Sequence, residues 1–283
     1  MFKIICMKTI LVPLDFSDPS DNALEFAAGI ANDLKANMIF LHSEQMPVAS
    51  YEFEPVAFTL SSNIEYNTKL LKDRAHKIKE IYPFIGPISC NVEMGDLKSN
   101  VNNYVKEKNV DLIVMGITGK TSSISKAVFG SNAISISKES EVPVIIVPIN
   151  CRYSGIKNIA YACDYKEYID GSHDLIEIKN IAEIFGALLN VIHVIPDGHL
   201  LTENEVETDS YIENKLENVN HRTFIFPRNN VVNTILSFIE KQKVDLIVME
   251  QVKHSFFHEL FYPSITKEIA FSSSVPVMTI YNQ

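Results

Sequence analysis

The chain is expected to form an α/β fold: two tandem domains, each a doubly wound parallel sheet with helices on both faces. The repeat is the first sign. VDLIVM occurs at 110–115 and again, letter for letter, at 244–249. Three more blocks recur in the same order. KTILVPLD (8–15) matches KNIAYACD (157–164), MIFLHSE (38–44) matches LNVIHVIPD (189–197), and SEVPVIIVP (140–148) matches SSVPVMTIY (273–281). Ordered matches at long period mark a duplicated unit. The second sign is the alternation within each unit. Short Val/Ile/Leu runs, suited to strands buried on both faces, alternate with amphipathic helical stretches. The polar segment NCRYSG (150–155) separates the copies, which divides the chain into domains 1–152 and 153–283.

In the first copy, TILVPL reads as strand one. SDPSDNALEFAAGIANDLKA reads as a helix capped by Ser17 or Asp18. Pro19 suits its first turn, and Ala23, Ala27, Ile30 and Leu34 form its apolar stripe. NMIFLHS is strand two, and SSNIEYNTKLLKDRAHKIKEI a long amphipathic helix. ISCNVEMG is strand three, KSNVNNYVKEK a helix and VDLIVMG strand four. A further helix starts near Ser131, and VPVIIVP is strand five. Such sheets bind ligands at the carboxyl ends of their strands, near the switch in strand order. Asp15 and Gly116, which end or follow strands, therefore fall at one rim.

Bulk properties narrow the function. With 283 residues, 46% of them hydrophobic, each half can bury its own core. The formal net charge of −10 argues against a general nucleic-acid or anionic-membrane binder. Cys6, Cys90, Cys151 and Cys163 form no CxxC pair, so reduced thiols in a cytoplasmic protein are expected. MFKIIC is too short for a signal-peptide core, and no apolar run approaches the roughly 20 residues that span a bilayer.

The stretch MGITGKTSSISKAVFGSNA (115–133) follows strand four. Glycines let backbone amides approach a ligand, and a loop running into a helix start suits phosphate. Gly116 and Gly119 would form the near wall, with Gly130, Ser131 and Asn132 at the helix start. Lys120 could add a side-chain donor. The alternative is a connection whose glycines only turn the chain. Neither GxxxxGK[ST] nor GxGxxG occurs.

ILVPLDFSD, DLIVMG, the GITG…GS glycines and VPVIIVP together resemble the universal stress protein family, in its tandem two-domain form. The resemblance covers nearly the whole chain. It implies Rossmann-like domains of the adenine nucleotide alpha hydrolase type, and ATP as ligand, with Mg or Mn as companion metal. The family's ATP-binding members carry G-x2-G-x9-G-[ST]; here the second gap, Lys120 to Phe129, is ten residues, one longer. The resemblance implies that Asp15 faces the ribose or a metal-linked phosphate, while Pro13 and Leu14 line the adenine pocket. Met38 would contact adenine through its backbone, and Met115 and Gly116 would lie beside the ribose. Gly119, Gly130, Ser131 and Asn132 would hold the phosphates. Asp15 has a structural role open to it as well, as an Asx turn or cap of helix one.

The second copy keeps the strand and loses the glycines. Glu250 replaces Gly116, Lys253 replaces Gly119, and YPS (262–264) replaces Gly-Ser. A carboxylate at 250 repels phosphate and Pro263 removes a donor, so one ATP site is expected per chain, in the first domain. HxxxHE (His254, His258, Glu259) is read as packing or partner contact rather than a metal site. His42 and His193 read as structural histidines, and the serines at 122, 123 and 125 as loop polarity. No catalytic nucleophile–base pair is identified. The leading function is a nucleotide-dependent stress regulator or sensor with an unidentified protein partner. The alternatives are a slow ATPase or autophosphorylating enzyme using Asp15, and a scaffold whose second domain binds another ligand or protein. Family analogy adds pairing of the two domains through VPVIIVP and VPVMTIY as an internal pseudo-dimer, with homodimerisation of whole chains open.

Overall fold

The structure, a computed structural model, describes residues 7–45, 56–118, 130–163, 165, 175–195, 203–227, 230–252 and 263–282. The first half runs β1 (Thr9–Pro13), α1 (Asp18–Leu34), β2 (Asn37–Glu44), α2 (Val56–Ile81), β3 (Ile88–Met94), α3 (Leu97–Glu107), β4 (Leu112–Ile117), α4 (Ser131–Ser137) and β5 (Val144–Pro148). The second half repeats it as β6 (Asn158–Ala162), α5 (Ile176–Phe185), β7 (Leu188–Ile195), α6 (Glu203–Lys215), β8 (His221–Pro227), α7 (Val231–Gln242), β9 (Leu246–Val252), α8 (Pro263–Ser272) and β10 (Val277–Asn282). The expected elements are present. The second helix of the first half starts at Val56 rather than at Ser61, because VAFTL extends the helical stretch upstream.

All strands belong to one ten-stranded sheet, ordered β3-β2-β1-β4-β5-β10-β9-β6-β7-β8. Each half is parallel and doubly wound, with its order reversing between β1 and β4, or between β6 and β9. The halves join where β5 and β10 pair antiparallel, Ile145 opposite Met278. These are the strands in which pairing was expected. Two apolar layers flank the sheet. One contains Ala23, Ile30, Leu71 and Ile78 of α1 and α2, and continues to Ile178 and Ile212 of α5 and α6. The other contains Val101, Tyr104 and Ile134 of α3 and α4, and continues to Phe238 and Ile269 of α7 and α8.

The repeated block VDLIVM carries its own anchor. Asp111 Oδ2 accepts the backbone N–H groups of Lys8 (2.9 Å) and Thr9 (3.0 Å), tying the entry of β1 to that of β4. Asp245 accepts those of Lys157 and Asn158, both at 2.9 Å, at the same place in the second half. The polar segment between the copies lies along α1. Asn22 donates to the carbonyls of Pro148 (3.0 Å) and Cys151 (3.1 Å), and Arg152 bonds Asn22 Oδ1. The Tyr153 hydroxyl donates to Asp33 at 2.6 Å. Gly29 gives that ring its place, since a Cβ there would lie 2.2 Å from Tyr153 Cδ1. Cys90, Cys151 and Cys163 are thiols, not disulfides, and burial pushes the Cys151 thiol up to about 11. No helix among the described residues is long and apolar enough to cross a membrane.

Candidate functional site

β1 delivers the first wall of a cleft. Its last residue, Pro13, leads to buried Leu14, whose N–H continues the ladder to the Leu41 carbonyl at 2.8 Å. Asp15 then turns the chain. Its Oδ1 accepts the Ser17 amide at 3.0 Å and the Ser17 hydroxyl at 2.5 Å, which is an Asx turn. Ser17 in turn caps α1, accepting the Ser20 amide, with Pro at the start of the helix. Burial pushes the Asp15 carboxyl up, but the Ser17 hydroxyl and amide, aided by Ser20, more than offset this and hold it below the usual carboxylate value. The residue therefore presents an anion at the mouth of the cleft while serving the structural role open to it. Phe16, between Asp15 and Ser17, has a φ of 64°. This left-handed conformation costs a residue with a Cβ about 1–2 kcal/mol.

The opposite walls come from β2, the β3–α3 turn, β4 and α4. His42 Nδ1–H donates to the Leu14 carbonyl at 2.7 Å, and Nε2 lies 3.4 Å from Glu44 Oε2. Ser43 Oγ accepts from Asn100 at 3.0 Å, which binds the end of β2 to α3. Met115 and Gly116 pair with Ile146 and Val147, placing Gly116 near the carboxyl end of β4. Together these elements enclose a cleft of about 290 Å³, lined among others by Leu14, Asp15, Ser43, Gly116, Gly130 and Asn132. It lies where the strand order reverses, at the carboxyl ends of the strands, the expected rim.

Of the residues named from the sequence, Pro13, Leu14, Asp15, Met115, Gly116, Gly130 and Asn132 line this cleft. Ser131, the first residue of α4, is exposed between two of them. Gly119 and Lys120, with the serines at 122, 123 and 125, lie outside the described residues. Met38 is a correction. It is fully buried near the amino end of β2, its N–H bonded to the Pro87 carbonyl at 2.9 Å, and does not line the cleft. From that strand the cleft receives His42 and Ser43 instead, on the carboxyl side. His42 was visible through its repeat match to His193; nothing in the sequence singled out Ser43, Ser20 or Thr118.

Gly116 has a second reason to be glycine. A Cβ there would lie 2.0 Å from the Pro19 carbonyl oxygen and 2.4 Å from its carbon. The first turn of α1 thus passes directly against β4, and only a hydrogen fits between. Gly130 has a φ of 115°, and its Cβ would lie 2.5 Å from Ile117 Cγ1. Phe271 of α8 comes within 3.5 Å of the same point, so the second half adjoins this rim.

The second half is built differently at the equivalent rim. Tyr165, matching Phe16, is fully buried, stacks on His193 with centroids 3.9 Å apart, and donates its hydroxyl to Asp209 at 2.6 Å. Burial and the Asp209 carboxylate both push this phenol far up. Glu250 is half-buried in β9 beside Ile280. Asp164, Lys253, His254, His258 and Glu259 lie outside the described residues. Among the described residues no cluster of His, Cys, Asp and Glu has the arrangement of a metal centre.

The model of the universal stress protein family matches residues 7–148. A universal stress protein of Methanocaldococcus jannaschii is 29% identical over 146 residues, covering 50% of this chain and 81% of that protein. One from Bacillus subtilis is 28% identical over 147 residues, 49% of this chain and 97% of its own length. Among solved structures, a universal stress protein from Archaeoglobus fulgidus superposes with a TM-score of 0.72 at 20% identity, covering 99% of both chains. That likeness extends the shared fold across both halves.

Proposed function

The chain belongs to the universal stress protein family, and on that premise we propose that its first-half cleft binds an adenine nucleotide, ATP, at one site per chain. Occupancy of the site would signal to a protein partner in a cytoplasmic stress response. The observation that carries this reading is the convergence at the switch in strand order. An anionic turn at Asp15 faces a glycine-bearing strand end at Gly116 and the Gly130–Asn132 segment, around a cleft of about 290 Å³. This volume is close to the lower end for small-molecule sites, about 300–1,000 Å³.

The polar groups fit a nucleotide's demands. The Ser43, Thr118 and Asn132 side chains can meet hydroxyls or phosphate oxygens, while Pro13, Leu14 and Met115 provide apolar surface for a base. A companion Mg or Mn would meet Asp15 as the carboxylate among the described lining residues. Domains 1–152 and 153–283 would then differ in role, with the second serving as a non-binding partner to the first. Glu250 at the position of Gly116 supports that asymmetry. Calorimetric titration of the full chain with ATP tests the proposal. One equivalent per chain is expected, lost in Asp15→Ala with Gly116→Glu; two equivalent sites, or none, would overturn it. Mass spectrometry of an acid-released extract should detect co-purified adenine nucleotide.

A further inference from the structure

The turn that presents Asp15 is held by a stack of three side chains. Phe16 sits in the left-handed region at φ 64°, where a bulky residue persists only if its surroundings hold it. One face of its ring meets His42, with centroids 4.5 Å apart. The Arg74 guanidinium of α2 lies 4.9 Å from the ring centroid. Both neighbours are tied back to the chain that flanks Phe16. His42 Nδ1–H holds the carbonyl of Leu14, at the entry of the turn. Arg74 holds Asp21, in the first turn of α1, through Nε to Oδ1 at 2.6 Å and Nη2 to Oδ2 at 2.8 Å. The turn is thus clamped at both ends, and Asp15 and Ser17, which line the cleft, lie between the clamps.

The second half repeats the arrangement with different chemistry. Tyr165 stacks on His193, and His193 Nδ1 is 3.4 Å from the carbonyl of Cys163, the match of Leu14. The partner from the following helix is Asp209, which accepts the Tyr165 hydroxyl. A histidine on the second strand and a charged residue on the second helix therefore grip the aromatic residue after the aspartate in both halves. The charge on the helix is positive in one and negative in the other.

We propose that Arg74 is a positioning residue for the first-half cleft: through Phe16 and Asp21 it fixes the 14–21 turn in the geometry that receives the ligand. Arg74 is not itself among the cleft-lining residues. The inference rests on the nucleotide reading of the cleft. Arginine suits this task because one planar group forks onto a carboxylate and also lies over a ring.

The full-length wild type, Arg74→Met, Arg74→Lys and Asp21→Asn are titrated with ATP. Histidine ring proton NMR signals are recorded without ligand, with the His42 signal identified by its loss in His42→Gln. Arg74→Met should weaken ATP binding about tenfold and move the His42 signal, because the ring beneath it shifts. Arg74→Lys, which keeps the cation but not the fork, should fall between Arg74→Met and wild type, and Asp21→Asn should weaken binding in the same direction. Urea midpoints of the apo proteins identify any variant that fails to fold, in which case Arg74→Lys and Asp21→Asn decide. Wild type that binds ATP beside an Arg74→Met that binds equally well overturns the positioning role alone. Weakened binding with an unmoved His42 signal overturns the route through Phe16. A wild type that does not bind ATP defeats the nucleotide reading, and the inference with it.

Discussion

Replacing Gly116 with alanine tests the closest approach in the site. The new Cβ would sit 2.0 Å from the Pro19 carbonyl oxygen, 2.4 Å from its carbon and 3.1 Å from the Ser20 nitrogen. Real Cβ atoms stay beyond 3.0 Å, so α1 and β4 must separate locally by at least about 1 Å. Neither side yields easily. β4 is central in the first half, paired with β1 and β5. α1 is anchored nearby by Asn22 to the Pro148 and Cys151 carbonyls. Overpacking of this kind costs about 1–3 kcal/mol. At about 2–4 °C per kcal/mol, the unfolding midpoint should fall by several degrees. Because Pro19 and Ser20 also line the cleft, ATP affinity should fall too, by about tenfold for each 1.4 kcal/mol of misfit. Urea denaturation and calorimetric titration of the same preparation separate the two effects. An alanine variant within about 0.5 kcal/mol of wild type, the usual range for a neutral surface change, would refute the packing account of this glycine.

Gly130→Ala should cost about 1–3 kcal/mol in the same denaturation assay, since it forces a side chain into φ 115° and against Ile117; an unchanged midpoint would count against the strain. Asp111→Ala and Asp245→Ala should each cost about 2–3 kcal/mol and by similar amounts, because each strips two backbone N–H groups of one carboxylate acceptor. Hydrogen exchange at Thr9 and Asn158 should speed up accordingly. Glu213 is held below its ordinary value of 4.5 first by the Thr223 hydroxyl, against burial, and then by His221. Its stabilisation is complete above the unfolded value and is lost as pH falls through the lower folded value. Glu213→Gln should therefore flatten stability against pH below about 4.5; equal slopes for both proteins in acid would refute this.

The strands and their ends were legible because burial on both faces writes itself into composition. TILVP and LIVMGI admit little but a central strand, and the last residues of each, with those just beyond, fall at the sheet's carboxyl rim. Asp15 and Gly116 could thus be brought to one edge without knowing any contact. Met38 was implied by the family resemblance and not by this reading. It shares a strand with the true rim residues, but Ser43 stands five residues further on, about 17 Å at the usual rise. NMIFLHS has Met38 near its start and closes with Ser43, and its parallel pairing with β1 and β3 puts Ser43, not Met38, at the rim. The reason for glycine at 116 was equally hidden. Local sequence offered a ligand approach, whereas the atom nearest the missing Cβ belongs to Pro19, in another element.

The two copies show why such contacts matter more than the motif that surrounds them. VDLIVM is identical in both, yet glycine follows one and glutamate the other. Repulsion of phosphate by Glu250 is one account of that difference, and the helix positions supply another. α1 begins at Asp18, three residues after Asp15, whereas α5 begins at Ile176, twelve residues after Asp164. A helix start so close to the strand brings the Pro19 carbonyl onto β4 and demands glycine there. In the second half residues 166–174 lie outside the described residues, and position 250 carries a side chain within β9, paired with Ile280. The short strand-to-helix turn brings Asp15, Ser17 and Gly116 together and imposes the left-handed Phe16 that needs a clamp.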